Sequence, residues 1–334
     1  VGYTALAGLT TGDQNTAIGG QAGKLIVTGA SNIAIGHQAY DAADGAESHN
    51  IAIGQSALGD LNHDSATRNI AIGNYAGDGM STLASLDNIF VGYASGGGAW
   101  TGTLSSYNVG VGNYVMGAAM NAATYNTAIG YLAMGDLTTG IRNTAVGAST
   151  LKTLTTGDHN IGLGMLCLDN LATGHRNIAI GYAALDAADG AEDDNIAIGT
   201  DALGNLNHDS STRNIAIGNY AADGIGTVGP SVDNIFMGYD AGGGTWTTAN
   251  SNYNVGIGSY VMDAAMNGAL QNTAVGYAAL SALTTGNQNT IVGNGAAVAL
   301  TTGSYNTILG SEAADSMTLG DYNVAIGYTA MGDA

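Results

Sequence analysis

Asn69-Ile70-Ala71-Ile72-Gly73 is one copy of a pentad that recurs along the whole chain of 334 residues. The first residue is always Asn, the second is Thr, Ile or Val, the third is mostly Ala, the fourth is Ile, Val, Leu or Met, and the fifth is always Gly. Successive copies start 17 to 20 residues apart. A short, nearly fixed period indicates one structural unit stacked on itself. The pentads start at Asn15, Asn32, Asn50, Asn69, Asn88, Asn108, Asn126, Asn143, Asn160, Asn177, Asn195, Asn214, Asn234, Asn254, Asn272, Asn289, Asn306 and Asn323.

Each pentad alternates between larger and smaller residues, which is typical of a short β-strand. We expect the side chains at positions two and four to point into a core, and those at positions three and five to point away from it. A small residue at position eight and a Leu or Met at position nine, as at Ala279 and Leu280, suggest a second short strand. The segment Leu-Thr-Thr-Gly, as at residues 283–286, then supplies a turn before the next Asn.

These features predict an all-β fold, a parallel β-roll or β-solenoid with coils of 17 to 20 residues. Strands of successive coils would pair in parallel about 4.8 Å apart. We expect the Asn side chains to form a ladder at one corner, where stacked amides bond along the coils. The Gly at position five is expected to permit positive φ or a close backbone approach. A helix is disfavoured, because a Gly in every coil would cost about 1 kcal/mol each.

A longer period is superimposed on the coils. Residues 69–76 recur as residues 214–221, at an offset of 145. We therefore predict a single continuous rod over residues 1–334, with super-repeats 1–145, 146–291 and a partial 292–334. Neither end carries a recognisable cap, so this rod is expected to be a slice of a longer stack. Runs of 17-residue coils alternate with coils of 18 to 20 residues, whose extra residues should leave the stack as loops.

Composition restricts the classes of function. The chain has 26 acidic and 6 Lys or Arg residues, a net charge of −20, which disfavours nucleic acid and anionic membranes as partners. Cys167 is the single cysteine, so no disulfide can form within the chain. No apolar run approaches 18 residues, which predicts no membrane span. The single proline, Pro230, excludes collagen and proline-rich disorder.

The pentad resembles the head repeats of trimeric autotransporter adhesins, whose Asn-Ser-Val-Ala-Ile-Gly coils form a parallel β-roll. The segment from Gly276-Tyr277-Ala278-Ala279-Leu280 through Thr284-Thr285-Gly286 to Asn289 is similar to repeats of phage tail fibres. The resemblance covers the whole chain. It implies three chains side by side, attachment to a host or surface, and no catalysis.

The apolar pattern itself also favours a homotrimer. Apolar residues occur in two registers, at positions two and four and again at positions eight and nine. One register can fill the roll, and the other can seal neighbouring chains against each other. A monomeric solenoid with one apolar face is the alternative.

Four residues on the loops are candidate glycan-binding residues. Trp100 and Trp246 occupy equivalent glycine-flanked loops, where a ring could stack on a sugar or pack as a lid on the roll. His63 and His208 each precede Asp and Ser on an inserted loop, where a salt bridge or turn cap is the alternative. Adjacent residues on one loop rarely give triad geometry, and no oxyanion-hole signature accompanies them, so we predict no catalytic residue.

Charged and aromatic side chains recur at fixed places in the coil. Asp189, Glu192 and Asp194 offer oxygen ligands for Ca²⁺, the one cofactor considered, although their spacing matches no known calcium loop and a solvated surface is the alternative. Arginines precede the pentad Asn in four coils, where they are expected to neutralise nearby Asp or, alternatively, to bind phosphate or acidic glycans: Arg68, Arg142, Arg176 and Arg213. Tyrosines at position six are expected to pack between chains or to form a binding box: Tyr93, Tyr131, Tyr182, Tyr239, Tyr277 and Tyr328.

The sequence therefore predicts a non-enzymatic extracellular fibre segment on a virion tail fibre or cell surface. It would act as a spacer and receptor-binding shaft of a phage tail-type fibre, with itself and surface glycans as partners. Alternatives are a bacterial adhesin head and a self-assembling extracellular filament. An ice-binding solenoid is less favoured, because Ile interrupts Thr at position two. An enzyme is disfavoured because the polar residues recur with the super-repeat instead of forming one unique cluster.

Overall fold

The computed structural model describes residues 2–80, 84–100, 102–226, 229–246 and 249–332. The chain divides into two compact units, Val1–Met165 and Leu166–Ala334. Each unit is a parallel β-solenoid, and the described residues contain no helix, which confirms the predicted fold class. The single continuous rod with its super-repeats remains a prediction. Its two ends, Val1 and Ala334, lie outside the described residues.

Every pentad forms one strand of three residues, which spans positions two to four. The first unit contains β1 (Thr16–Ile18), β2 (Ile33–Ile35), β3 (Ile51–Ile53), β4 (Ile70–Ile72), β5 (Ile89–Val91), β6 (Val109–Val111), β7 (Thr127–Ile129), β8 (Thr144–Val146) and β9 (Ile161–Leu163). The second unit contains β10 (Ile178–Ile180), β11 (Ile196–Ile198), β12 (Ile215–Ile217), β13 (Ile235–Met237), β14 (Val255–Ile257), β15 (Thr273–Val275), β16 (Thr290–Val292), β17 (Thr307–Leu309) and β18 (Val324–Ile326).

Within each unit, every strand pairs in parallel with the strand of the next coil, position for position. Ile51 lies opposite Ile70, and Ile70 lies opposite Ile89. The longer coil that follows keeps the same register, since Ile89 lies opposite Val109. The extra residues of the longer coils therefore lie outside the strands, as their lengths predict.

The strand side chains point in the opposite direction to the one predicted. Ala52, at position three of its pentad, is fully buried, whereas Ile51 and Ile53 at positions two and four are only partly buried. Phe90 and Phe236 also occupy position three, and both are fully buried. Position three therefore faces the core whether it carries a small Ala or a large Phe. The prediction was wrong because alternation defines two faces without showing which face is inside.

The predicted second strand is replaced by a turn. Positions seven and nine have left-handed backbone, with φ of 51° at Ser56 and 50° at Leu58. The Ser56 N–H donates to the His37 carbonyl of the preceding coil at 3.0 Å, and the Leu58 N–H donates to the Ala76 carbonyl of the following coil at 2.9 Å. The turn therefore satisfies its backbone groups between coils without forming a strand. The small residue at position eight, here Ala57, still lies in the core, as does Leu58.

The glycine at position five is required by both backbone conformation and space. Gly73 has a φ of 134°, a region that residues with a side chain rarely adopt. A Cβ at this residue would also overlap the carbonyl group of Gly92 in the next coil. Both roles predicted for this glycine are therefore confirmed.

The predicted Asn ladder is present in both units, and Asn289 illustrates its bonds. Its Nδ2 donates to Oδ1 of Asn272 at 2.9 Å and to the Gly303 carbonyl at 2.8 Å. Its Oδ1 accepts from the backbone N–H of Asn306 at 3.0 Å and from Nδ2 of Asn306 at 2.9 Å. The Asn289 side chain is fully buried. Each amide thus joins its own coil to the coils before and after it.

We expect Asn289→Ala to lower the free energy of unfolding by about 2–4 kcal/mol, because it leaves several buried polar groups without partners. Asn294→Ala is the matched control, since Asn294 is exposed in the same coil. Its effect should stay within about 0.5 kcal/mol. Urea unfolding of both variants measures the difference, and equal effects would contradict the ladder's structural role.

Candidate interaction surfaces and acidic clusters

The outward face of the sheet carries no charge in either unit. It is formed by the side chains at positions two and four of each strand, and all of these are Thr or apolar residues. Several are strongly exposed, including Ile129 at 41% and Ile257 at 40%. Exposed apolar strips of this kind are typical of surfaces that bind other proteins.

Tyrosines at positions six and seven, just after the strands, form one ladder in each unit. In the first unit, Tyr75, Tyr93, Tyr114 and Tyr131 contact one another edge to face, with ring centroids 5.3 to 6.2 Å apart. The second ladder has centroid distances of 5.4 to 5.8 Å and consists of Tyr220, Tyr239, Tyr260 and Tyr277. Only the tyrosines at position six were predicted from the sequence. Packing of these rings between chains remains a prediction, as it does for the exposed Tyr182 and Tyr328.

Trp100 and Trp246 lie in the core, and each is about 1% exposed. The Trp100 ring packs edge to face on Phe90, with centroids 5.8 Å apart, and Trp246 packs on Phe236 at 6.2 Å. Gly110 lies in the coil after Phe90, pairs with it, and leaves room for the phenyl ring. The packing alternative therefore describes both tryptophans, because neither ring face is open for stacking on a sugar.

His63 and His208 cap turns within their own loops. Nδ1 of His63 accepts a hydrogen bond from the Ser65 N–H at 3.1 Å, and Nδ1 of His208 accepts one from the Ser210 N–H at 3.3 Å. Both histidines therefore cap a turn, which was the alternative to glycan binding. Contact of either imidazole with a glycan remains a prediction.

The predicted row of arginines is largely neutralised by Asp residues of the next coil. Arg68 binds Asp87 with Nε at 2.6 Å and Nη2 at 2.8 Å, and this contact lowers the pKa of the Asp87 carboxyl. The equivalent pairs are Arg176 with Asp194 and Arg213 with Asp233. Arg142 instead has Nη1 3.3 Å from Nε2 of His159. These arginines therefore form salt bridges between consecutive coils, which agrees with the expectation that they neutralise nearby Asp residues.

A carboxylate cluster occurs close to the predicted Ca²⁺ site, with one different member. One carboxylate oxygen each from Asp189, Glu192 and Asp209 lies within 4.8 Å of the others. Glu192 is fully buried, and the two Asp residues are exposed. Asp194, a predicted member, is instead bound by Arg176 with Nε 2.6 Å from its Oδ1. Asp209 could have been found from the coil spacing. Residues one coil length apart lie side by side in the stack, and Asp209 lies one coil length after this loop.

A second group of carboxylates lines a shallow groove in the first unit. Asp41, Asp60 and Asp78 line it together with Lys24. Burial raises the pKa of Asp78 to about 6, and the charges of Asp60 and Asp41 add to this effect. The three Asp residues are one coil length apart in sequence, so stacking places them in one column.

The second unit contains a similar groove, lined by Asp186, Asp201 and Asp223. Burial raises the pKa of Asp223 to about 6, with further contributions from the charges of Asp240 and Asp201. Both grooves therefore hold carboxylates whose ionisation is opposed by their neighbours.

No protein-family model matches the chain, and no curated protein matches it. Tandem repeats stacked as a parallel β-solenoid are consistent with a fibre-like structural protein. None of the described segments forms a long apolar helix of the kind that crosses a bilayer.

We expect Asp78→Asn to raise the melting temperature at pH 7 and to raise it less at pH 4.5. A carboxyl with a raised pKa holds its proton more tightly in the folded state, so its stabilising contribution is present below about pH 4. That contribution is lost as the pH rises through the folded pKa of about 6. Because Asp78 is only half-buried, screening limits the effect to about 1 kcal/mol. Thermal unfolding at the two pH values measures it.

Asp87→Asn provides a control of opposite sign. The pKa of Asp87 is lowered by its hydrogen bonds with Arg68, so this charge stabilises the fold at neutral pH. The substitution should lower the melting temperature at pH 7. An equal temperature shift for Asp78→Asn at pH 7 and pH 4.5 would contradict the assignment.

Proposed function

We propose that this chain is a non-enzymatic segment of an extracellular fibre, in which it serves as spacer and attachment shaft of a phage tail-type fibre. Three copies would lie side by side, with the outward sheet faces turned toward one another. The uncharged apolar face of the sheet is the observation that supports this function most directly. The resemblance of the pentads to fibre and adhesin repeats agrees with it.

The distribution of charge favours a second copy of the chain as the occupant of this face. With a net charge of −20, two copies repel each other across most orientations. The strand face lacks charge at positions two and four of all strands, so it can approach an identical face without burying an unpaired ion. Copies of one chain most often assemble with closed symmetry, which a trimer satisfies.

The face of each unit offers a substantial area. Nine three-residue strands, each about 4.8 Å from the next, cover roughly 400 Å² in each unit. This is about half of the roughly 800 Å² that one partner buries in a standard protein interface. The tyrosine ladders just after the strands add aromatic surface, and aromatic residues are enriched in interfaces.

Two alternatives would use the same face. A bacterial adhesin head is built from similar coils, and a self-assembling filament would join copies into a larger particle instead of a closed trimer. Ice binding is less favoured, because Thr at position two of the outward face is interrupted by Ile and Val over long stretches.

Light scattering on the purified chain tests the proposed assembly. We expect three times the mass of one chain for the wild type and a smaller mass for Ile257→Glu, because the substitution places a charge in the apolar face. Leu270→Glu is the matched control, since Leu270 is 37% exposed and Ile257 is 40% exposed, but Leu270 lies outside the strands. The control should keep the wild-type mass.

A wild-type mass equal to one chain would rule out the side-by-side assembly. An open-ended mass would instead favour the filament. Loss of assembly in Leu270→Glu as well as in Ile257→Glu would show that the strand face has no special role.

Surface attachment requires a separate test by glycan-array binding. Because Trp100 and Trp246 are buried, the exposed tyrosines are the aromatic side chains on which a sugar could stack. We expect any binding to weaken in Tyr114→Ala, a member of the first ladder that is 42% exposed, and to persist in Tyr3→Ala, which lies outside both ladders. Absence of binding to every glycan would leave the spacer role alone.

A further inference from the structure

We propose that Asp189, Glu192 and Asp209 form a Ca²⁺ site that links two consecutive coils of the second unit. One carboxylate oxygen of each residue lies within 4.8 Å of the others. Asp189 and Glu192 precede the pentad at Asn195, and Asp209 precedes the pentad at Asn214. A cation held by all three would therefore join neighbouring coils. This inference is independent of the proposed fibre function, because the site lies within one chain.

The buried carboxylate of Glu192 points to a ligand independently of the cluster. The side chain is completely buried. Its Oε2 accepts a hydrogen bond from the Gly190 N–H at 3.1 Å. Its Oε1 is also buried, yet no hydrogen-bond donor reaches it among the residues that the structure describes. A buried carboxylate oxygen without a donor is costly, and a bound cation would compensate for it.

The surrounding charges strengthen this requirement. Burial raises the pKa of the Glu192 carboxyl, and the negative charges of Asp189 and Asp209 raise it further, although hydrogen bonds from the backbone oppose the change. Three carboxylates at this separation repel one another when all are ionised. A divalent cation between them converts that repulsion into attraction.

The set of ligand atoms selects Ca²⁺ among common metal ions. All three side chains offer oxygen, which suits hard cations and not the nitrogen and sulfur preference of Zn²⁺. Ca²⁺ accepts six to eight oxygens in flexible geometry, whereas Mg²⁺ demands a nearly ideal octahedron. Because Asp189 and Asp209 are exposed, water can complete the coordination from the solvent side.

The backbone next to the cluster is shaped to bring the coils together. A Cβ at residue 190 would overlap the Asp209 carboxylate, so the glycine there allows the close approach of Asp209. The same glycine donates its N–H to Glu192. Gly190 therefore positions two of the three proposed ligands.

The first unit provides an internal comparison. Glu47 is equally buried, its Oε2 accepts from the Gly45 N–H at 3.0 Å, and its Oε1 has no donor among the described residues. Here, however, Oδ1 of Asp64 accepts a hydrogen bond from the Ala46 N–H at 3.0 Å. Within the described part of the chain, only the triad of the second unit brings all three carboxylates within 4.8 Å.

Calorimetric titration of the full chain, after treatment with chelator, tests the site with CaCl₂ as the probe. We expect one Ca²⁺ per chain, with a dissociation constant on the order of 10⁻⁴ to 10⁻³ M for a site with few protein ligands. Glu192→Gln and Asp209→Asn should each weaken binding at least tenfold. Glu47→Gln is the matched control, and it should keep the affinity within about twofold of the wild type.

Thermal unfolding separates loss of the site from loss of the fold. Ca²⁺ should raise the melting temperature of the wild type more than NaCl of equal ionic strength, which measures general screening of the acidic chain. In chelator, Glu192→Gln should melt no lower than the wild type, because it removes a buried charge that the backbone hydrogen bonds compensate only in part.

Three results would overturn the proposal. The first is an equal temperature rise with CaCl₂ and NaCl, which would indicate screening alone. The second is unchanged Ca²⁺ affinity in both Glu192→Gln and Asp209→Asn, the latter at an exposed residue whose substitution should not prevent folding. The third is loss of binding in Glu47→Gln with retention in Glu192→Gln.

Discussion

The hydrogen bonds between buried asparagine side chains fix each coil on the one before it, and the other regular features of the structure depend on this register. The amide of Asn289 bonds to Asn272 on one side and to Asn306 on the other, at 2.9 Å in each direction. The strands that follow then pair position for position, even where coil lengths differ. Any residue type that recurs at one place in the coil is thereby converted into a column.

Several columns follow from this register, and each has its own physical character. The tyrosines at positions six and seven contact edge to face, and three of the four arginines before the pentads bind aspartates of the next coil. The carboxylates of Asp41, Asp60 and Asp78 are brought together although their charges repel. Stacking therefore imposes unfavourable neighbours as readily as favourable ones, and the fold tolerates them because its backbone bonds are satisfied elsewhere.

Much of the fold could be predicted from the sequence, because the period, the invariant Asn and the invariant Gly each have a single good structural explanation. The side chains that face the inside of the coil could not be predicted in the same way. Ala52 and Ile53 alternate in the sequence as they would with either face buried, and Phe90 at the position of Ala52 shows that residue size does not decide which face is inside. The turn after Gly54 was also hidden, because Ser56 and Leu58 adopt left-handed backbone that nothing in their own chemistry demands.

The members of the candidate sites could be predicted only where they lie on one loop. Members on adjacent coils are one coil length apart in sequence, and their proximity depends on the register of the stack. Asp189 and Glu192 were identified as cation ligands from one acidic loop, but Asp209 belongs to the next coil and requires the register to be known. Trp100 shows the opposite limit. A glycine-flanked loop is compatible with an exposed ring or a packed one. Only the register shows that Gly110 lies beside Phe90 and leaves room for the phenyl ring on which Trp100 packs.

Within each unit, the described strands bond only to those of the coils immediately before and after, so a pulling force at one end would meet these bonds one coil at a time. The Asn amides and strand bonds of the terminal coil would yield first, while the coils behind it remained intact. Each event would release one coil of 17 to 20 residues, roughly 60 Å of extended chain. Such a solenoid would dissipate mechanical load in steps of nearly equal length. Unfolding of one coil would leave the remaining coils folded.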